Sequence, residues 1–336
     1  MRKTLCWLLL LLMLVMVSGC GIMDWIFPDK DGEEPPDDDY IELPGGEDEG
    51  DDTSSDGRIL YVADLHGKYV LPVTFNIPWE EGIAKAVVRH MVEGGPGQQF
   101  FTTNGLKAVL PAGTTVVGMS INDGACIVDF SQHLLQAADE VHERLILDAL
   151  TYTLTEFSTI DTVTIRVNGQ PLSKMTHGTP VDAVLSRERG VNSSASSKGT
   201  GAVVTIYMRM DSLAGGVLLV PVTRPVASVA NLAQAALEQL VGGPGAQTGL
   251  SPVLPATTRV EGLSVQGDVA TVNFSADLAQ AEDLDVAVAA IVLTLTELPG
   301  ISSVKLTIGG EAIKLPDGKT LTEPVLRPIS TNPLSF

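Results

Sequence analysis

Basic residues are scarce. The 336-residue chain holds 21 Lys and Arg against 41 Asp and Glu, a formal charge of −20. Nucleic-acid binding needs a basic face, so this composition argues against such a partner. A hydrophobic run long enough to span a bilayer is also missing, because the apolar stretch at residues 8–17 is too short. The five histidines, His66, His90, His133, His142 and His177, form neither H-x-x-x-H nor H-E-x-x-H, so no metal is expected. No serine stands in a G-x-S-x-G setting. The run Gly94-Gly95-Pro96-Gly97 is no phosphate cradle, since a P-loop leads into a helix and carries a Lys. With no repeated reactive constellation, neither catalysis nor a cofactor is expected.

What the chain does have begins at its N-terminus. Arg2 and Lys3 precede the apolar stretch, and Val17-Ser18-Gly19-Cys20 closes it. Small residues before a Cys resemble the lipobox of bacterial lipoproteins. That resemblance implies a signal peptide over residues 1–20, a lipid on Cys20 and a membrane anchor of two or three acyl chains. Cys6 then leaves with the signal, and Cys126 is left alone, without a partner for an internal disulfide. Its alternating strand predicts a small buried side chain there. Residues 21–57 are rich in Asp, Glu, Pro and Gly, with fifteen acids against three bases over residues 1–57. Such a stretch repels itself and buries little, which predicts a disordered tether. Carboxylates also suit Ca²⁺, but the spacing lacks the D-x-D-x-D-G pattern with a distant Glu.

The rest is organised by duplication. LPAGTTVVGMSINDGACIVDFS at residues 110–131 recurs as LPATTRVEGLSVQGDVATVNFS at 254–275, without a gap. Each copy alternates with period 2 around a polar turn, which predicts a β-hairpin. Strands are expected at 59–62 and 69–73, a helix opening at Pro78 and ending at 94–97, a second helix over 139–157, and a last strand over 162–167 turned by Asn168-Gly169. The second half repeats this, with strands at 203–207 and 217–221, helices near 229–241 and 284–298, and a last strand over 303–308. Four residues missing from the second copy fall in a loop around residues 100–104. The class is α+β: two tandem β-β-α-β-β-α-β domains, each a small sheet with two helices packed on one face. The first domain spans 58–189, a Ser/Gly linker 190–201, and the second domain 202–336.

A helix ending in GGPG, then Leu-Pro, a hairpin closing in V-[DN]-F-S and a helix ending in Leu-Thr-Glu resemble the GerMN domain of sporulation and germination lipoproteins. The resemblance covers both repeats, and the tandem behind a lipobox fits it. It implies a non-enzymatic extracytoplasmic domain, related in fold to ring-building motifs of secretion systems. In spore formers, it implies a place in the channel complex joining mother cell and forespore.

Three repeated polar pairs stand out. Asp129 and Asn273 precede Phe-Ser, where side-chain bonding to the strand end is expected. Ser131 and Ser275 stand where a residue would cap the next turn of the chain. Glu156 and Glu297 sit near helix C-termini, where an acid opposes the helix dipole. That placement predicts a partner, either a backbone N–H or a base, in a structural bond or an interaction site. The reading is a membrane-anchored scaffold or interaction lipoprotein, with envelope protein partners or self-assembly. The alternative is a lipoprotein holding a cell-wall or small-molecule ligand in the cleft between the repeats.

Overall fold

In a computed structural model, the described residues are 57–193, 201–227, 231–245 and 247–334. Cys20, the signal and the acidic tether lie outside them. The described residues fall in one compact unit, so both repeats belong to a single body.

The first repeat opens with strands β1 (Gly57–Asp64) and β2 (Val70–Asn76), paired antiparallel from Gly57/Asn76 to Ala63/Val70. Helix α1 covers Ile83–His90. It starts five residues later than Pro78 predicts, because Gly82 at φ 77° supplies the N-terminal kink. A short helix α2 (Gln98–Thr103) follows, then β3 (Leu106–Lys107) beside β1. The hairpin is β4 (Val116–Asn122) and β5 (Gly124–Phe130), with Asp123 at φ 46° and Gly124 at φ 78°. Helix α3 (Glu140–Leu154) then crosses to β6 (Ile160–Val167), which runs parallel to β5. The Asp139 side chain accepts from the His142 N–H at 2.8 Å and caps α3. A short β7 (Gln170–Pro171) closes the sheet.

The second repeat matches this plan with β8 (Ala202–Asp211), β9 (Val217–Val226), α4 (Leu232–Val241), β10 (Val260–Gln266), β11 (Val269–Phe274), α5 (Leu284–Thr296) and β12 (Ser303–Ile308). It extends through β13 (Glu311–Lys314), β14 (Thr320–Leu321) and β15 (Val325–Leu326). Among the described residues nothing in the second repeat corresponds to α2, so the length difference falls in a short helix rather than a loop. Phe101 is fully buried there, and Phe75 meets Phe100 edge-on at 4.4 Å. Adjacent aromatics carry no helical period, which is why that helix was not legible.

The α+β class stands, but each repeat divides its strands between two sheets instead of one. The orders are β2-β1-β3 and β4-β5-β6-β7, then β8-β9 and β10-β11-β12-β13-β14 with β15 on β12. Helices α3 and α5 touch strands of both sheets in their own repeat. Matching residues fill the two cores: Phe130 and Phe274, Val128 and Val272, Leu134 and Leu278 are all fully buried. Cys126 is buried and unpaired, and burial pushes its thiol up to about 11.

Candidate functional site

The repeated acids meet. Arg187 Nη1 donates to Glu297 Oε1 at 2.9 Å, and its Nη2 donates to Glu156. Arg327 Nη2 donates to Glu297 Oε2 at 2.8 Å and to the Tyr207 hydroxyl at 3.2 Å, which itself lies 3.3 Å from Glu297 Oε2. The network thus joins acids and bases from both repeats. Each arginine also covers the end of a helix: Arg187 donates to Thr155 Oγ1 and the Tyr152 carbonyl, Arg327 to Thr296 Oγ1 and the Leu293 carbonyl. The arginines thereby supply the positive charge that acids at helix C-termini call for. Arg187 further lies over the Tyr152 ring at 4.8 Å.

Burial sets the electrostatics. The Glu297 side chain is only 9% exposed. Burial works against its charge, yet the Arg327 and Arg187 guanidiniums outweigh it and hold the carboxyl below its ordinary value. Burial raises the Tyr207 and Tyr61 hydroxyls, and the neighbouring carboxylates add to this. The Tyr61 hydroxyl is buried and finds no hydrogen-bond partner among the described residues. The two acids, the two arginines and the Tyr207 hydroxyl are spent on one another, and among the described residues no three His, Cys, Asp or Glu are grouped to hold a metal ion.

A second set of paired residues flanks the network. The Val70 N–H donates to Asn192 Oδ1 at 2.8 Å, and Asn192 Nδ2 donates to the carbonyls of Val70 and Pro221. In the other repeat the Leu219 N–H donates to Asn332 Oδ1 at 2.7 Å, and Asn332 Nδ2 donates to the carbonyls of Leu219 and Pro72. Both asparagines hold positive φ, 50° and 47°. Sequence reading missed Asn192, Asn332, Arg187 and Arg327. The signal was present, because both pairs recur at an offset of 140. It sat beyond the last predicted strand, where Gly190 to Asn192 read as linker. Val191 is in fact fully buried, and its carbonyl accepts from the Thr223 N–H.

The other repeated pairs have local work. Asp129 Oδ1 accepts from the Gly169 N–H and Asn273 Oδ1 from the Gly310 N–H, both at 2.8 Å. An acceptor oxygen is all that position needs, which explains the Asp/Asn exchange. Ser131 and Ser275 do not cap the turns after them. Their hydroxyls accept from the N–H groups of Thr115 and Arg259, each at 3.1 Å, and fasten the start of each hairpin. His142 and His177 bond backbone carbonyls of Val109 and Ala137.

Two surfaces remain open. Strands β4 and β10 are the outer strands of their sheets, and no strand lies beyond either among the described residues. Both carry a bulge at the same place, Val116/Gly118 and Val260/Gly262. A cavity of about 370 Å³ also opens between the turn after β1 and the turn after β8, lined by Leu65, Tyr69, Met210, Leu213 and Leu218 among others. Its polar groups are mostly engaged: Lys68 Nζ and the Tyr69 hydroxyl reach Thr248, and Ser212 Oγ donates to the Asn104 carbonyl.

Comparison with known proteins agrees with this architecture. The model of the Germane family, described as sporulation and spore germination, matches residues 59–173 and 205–314. Spore germination protein GerM of Bacillus subtilis (strain 168) is 33% identical over 293 residues, covering 83% of this chain and 79% of that protein. The solved tandem GerMN domains of the Bacillus subtilis sporulation protein GerM superpose with a TM-score of 0.73 at 31% identity, covering 82% of this chain and 99% of that one. With both repeats matched and the tandem fold shared, the chain belongs to the Germane (GerMN) family of sporulation and spore germination.

Proposed function

We propose that this protein is a lipid-anchored adaptor on the extracytoplasmic side of the cell membrane. Cys20 carries the anchor, and the body recruits envelope protein partners, or further copies of itself, by strand addition to β4 and β10. The observation behind this is the pair of open edges. Past the bulges at Val116/Gly118 and Val260/Gly262 and past Glu261, which guard the start of each edge, residues 118–122 and 262–266 contain no Lys, Pro or acid to blunt it. An incoming strand there gains main-chain bonds. Val117 at 62% exposure, Ile121 at 43% and Val265 at 44% would flank it. The family description and the name of the Bacillus subtilis relative support a setting in sporulation or germination.

The test is capture from membranes with the Cys20-anchored protein and with the anchor-free fragment 40–336. Lys replaces Ile121 and Val265 in a second pair of baits. Both positions are half-exposed, so stability should shift by no more than about 0.5 kcal/mol. The adaptor reading expects one partner set in both wild-type baits and its loss in the lysine variants. Partners that ignore the substitutions would refute strand addition. The cavity between the turns favours a second reading, a small bound ligand; a glycan or small molecule eluting in place of protein would support it.

A further inference from the structure

The contacts between the repeats are reciprocal. Asn192 reaches Pro221, and Asn332 reaches Pro72. The Thr223 N–H donates to the Val191 carbonyl, and the Thr74 N–H donates to the Thr331 carbonyl at the matching place. The turn after β1 bonds Thr248 of the second repeat, while Ser212 in the turn after β8 bonds Asn104 of the first. Each repeat thus lays the segment after its last strand across the β2-type strand of the other. A contact in which i meets j and j meets i is the signature of a two-fold dimer interface. Here it sits inside one chain.

Each repeat, moreover, carries both halves of the main contacts. The first holds Asn192 with Pro72 and Val191 with Thr74; the second holds Asn332 with Pro221 and Thr331 with Thr223, while the ion pair Arg187–Glu297 crosses the seam in one direction only. We propose that this seam is a self-sufficient dimer interface: it holds the repeats together without the connection at 194–200, and it accepts the matching repeat of a second copy of this chain. The connection then serves only to raise the local concentration of one repeat near the other. Two copies that exchange repeats would form a closed dimer with every seam contact intact.

The experiment uses residues 40–336 with a site-specific protease sequence in place of 194–200. After cleavage, light scattering at micromolar concentration should give the mass of the uncut unit, with both fragments present in equal amounts. Asn332→Ala in the cut protein should weaken association roughly tenfold, as for one lost hydrogen bond across the seam. Fragments that run separately after cleavage overturn the proposal. The uncut protein is then refolded across a hundredfold range of concentration. Exchange predicts a double-mass particle that grows with concentration and falls back to single mass on cleavage, since only the two connections join its two seams. Absence of that particle, or its survival after cleavage, removes the second copy as a partner.

Discussion

Asp129 and Asn273 show how one position tolerates a change of charge. Each offers a single oxygen to a glycine N–H after the last strand. Asp129→Asn should therefore leave the melting temperature nearly unchanged, whereas Asp129→Ala strands that N–H and costs about 1 kcal/mol. Two of the buried tyrosines, Tyr207 and Tyr61, should part company in the same way. Tyr207 bonds Glu297 and Arg327, and Tyr61 bonds neither through its hydroxyl. Chemical denaturation should find Tyr207→Phe destabilised by about 1–3 kcal/mol and Tyr61→Phe close to wild type. Equal losses would mean that the hydroxyls do not carry this difference.

At the scale of elements, the hairpins and second helices were legible because alternation and capping residues are local. The GGPG runs were read as helix stops, and helices α1 and α4 do end just before them, but the two runs act differently. A Cβ on Gly97 would stand 2.6 Å from the His90 carbonyl oxygen and 2.6 Å from the Phe101 ring. Gly245 faces open space but holds φ at 60°. Gly97→Ala should cost about 1–3 kcal/mol through overpacking beneath α2. Gly245→Ala should cost about 1 kcal/mol, through backbone conformation alone. Thermal melts of the two variants separate the causes, since shortening Phe101 to Leu should relieve the ring's share of the first loss, leave the share due to the His90 carbonyl, and leave the second loss unchanged.

For the whole molecule, buried carboxylates at the seam and within the first repeat make stability depend on pH. Glu297 and Glu143 both titrate below their ordinary value of 4.5 in the folded chain. Burial opposes the charge on each; the arginines overcome it for Glu297, and the N–H groups of His177 and Thr179 overcome it for Glu143. Their contribution is complete above about pH 4.5 and is lost as pH falls through the lowered folded values. Asp148, raised by burial against the pull of Arg189, works with the opposite sign, and its contribution is lost as pH rises through the raised value. Melting temperature should hold down to about pH 4.5 and then fall. In Glu297→Gln the curve should start lower at neutral pH and fall less in acid. An acid limb that is unchanged in this variant would place the titration elsewhere.

Local chemistry determined much by itself. The duplication, the order of strands and helices, the turns at Asp123 and Gly124 and the lone buried Cys126 come from period, turn residues and spacing, which act over a few residues. Glu156 and Glu297 were marked for the same reason, because a helix end disfavours an acid whatever lies around it. Only the tertiary structure decided which partners those acids take, how the strands divide into sheets, and that residues 187–193 and 327–334 cross between the repeats. Those outcomes depend on groups from far along the chain meeting at one buried seam. No window of sequence contains both Arg187 and Glu297, and only the folded chain brings them together.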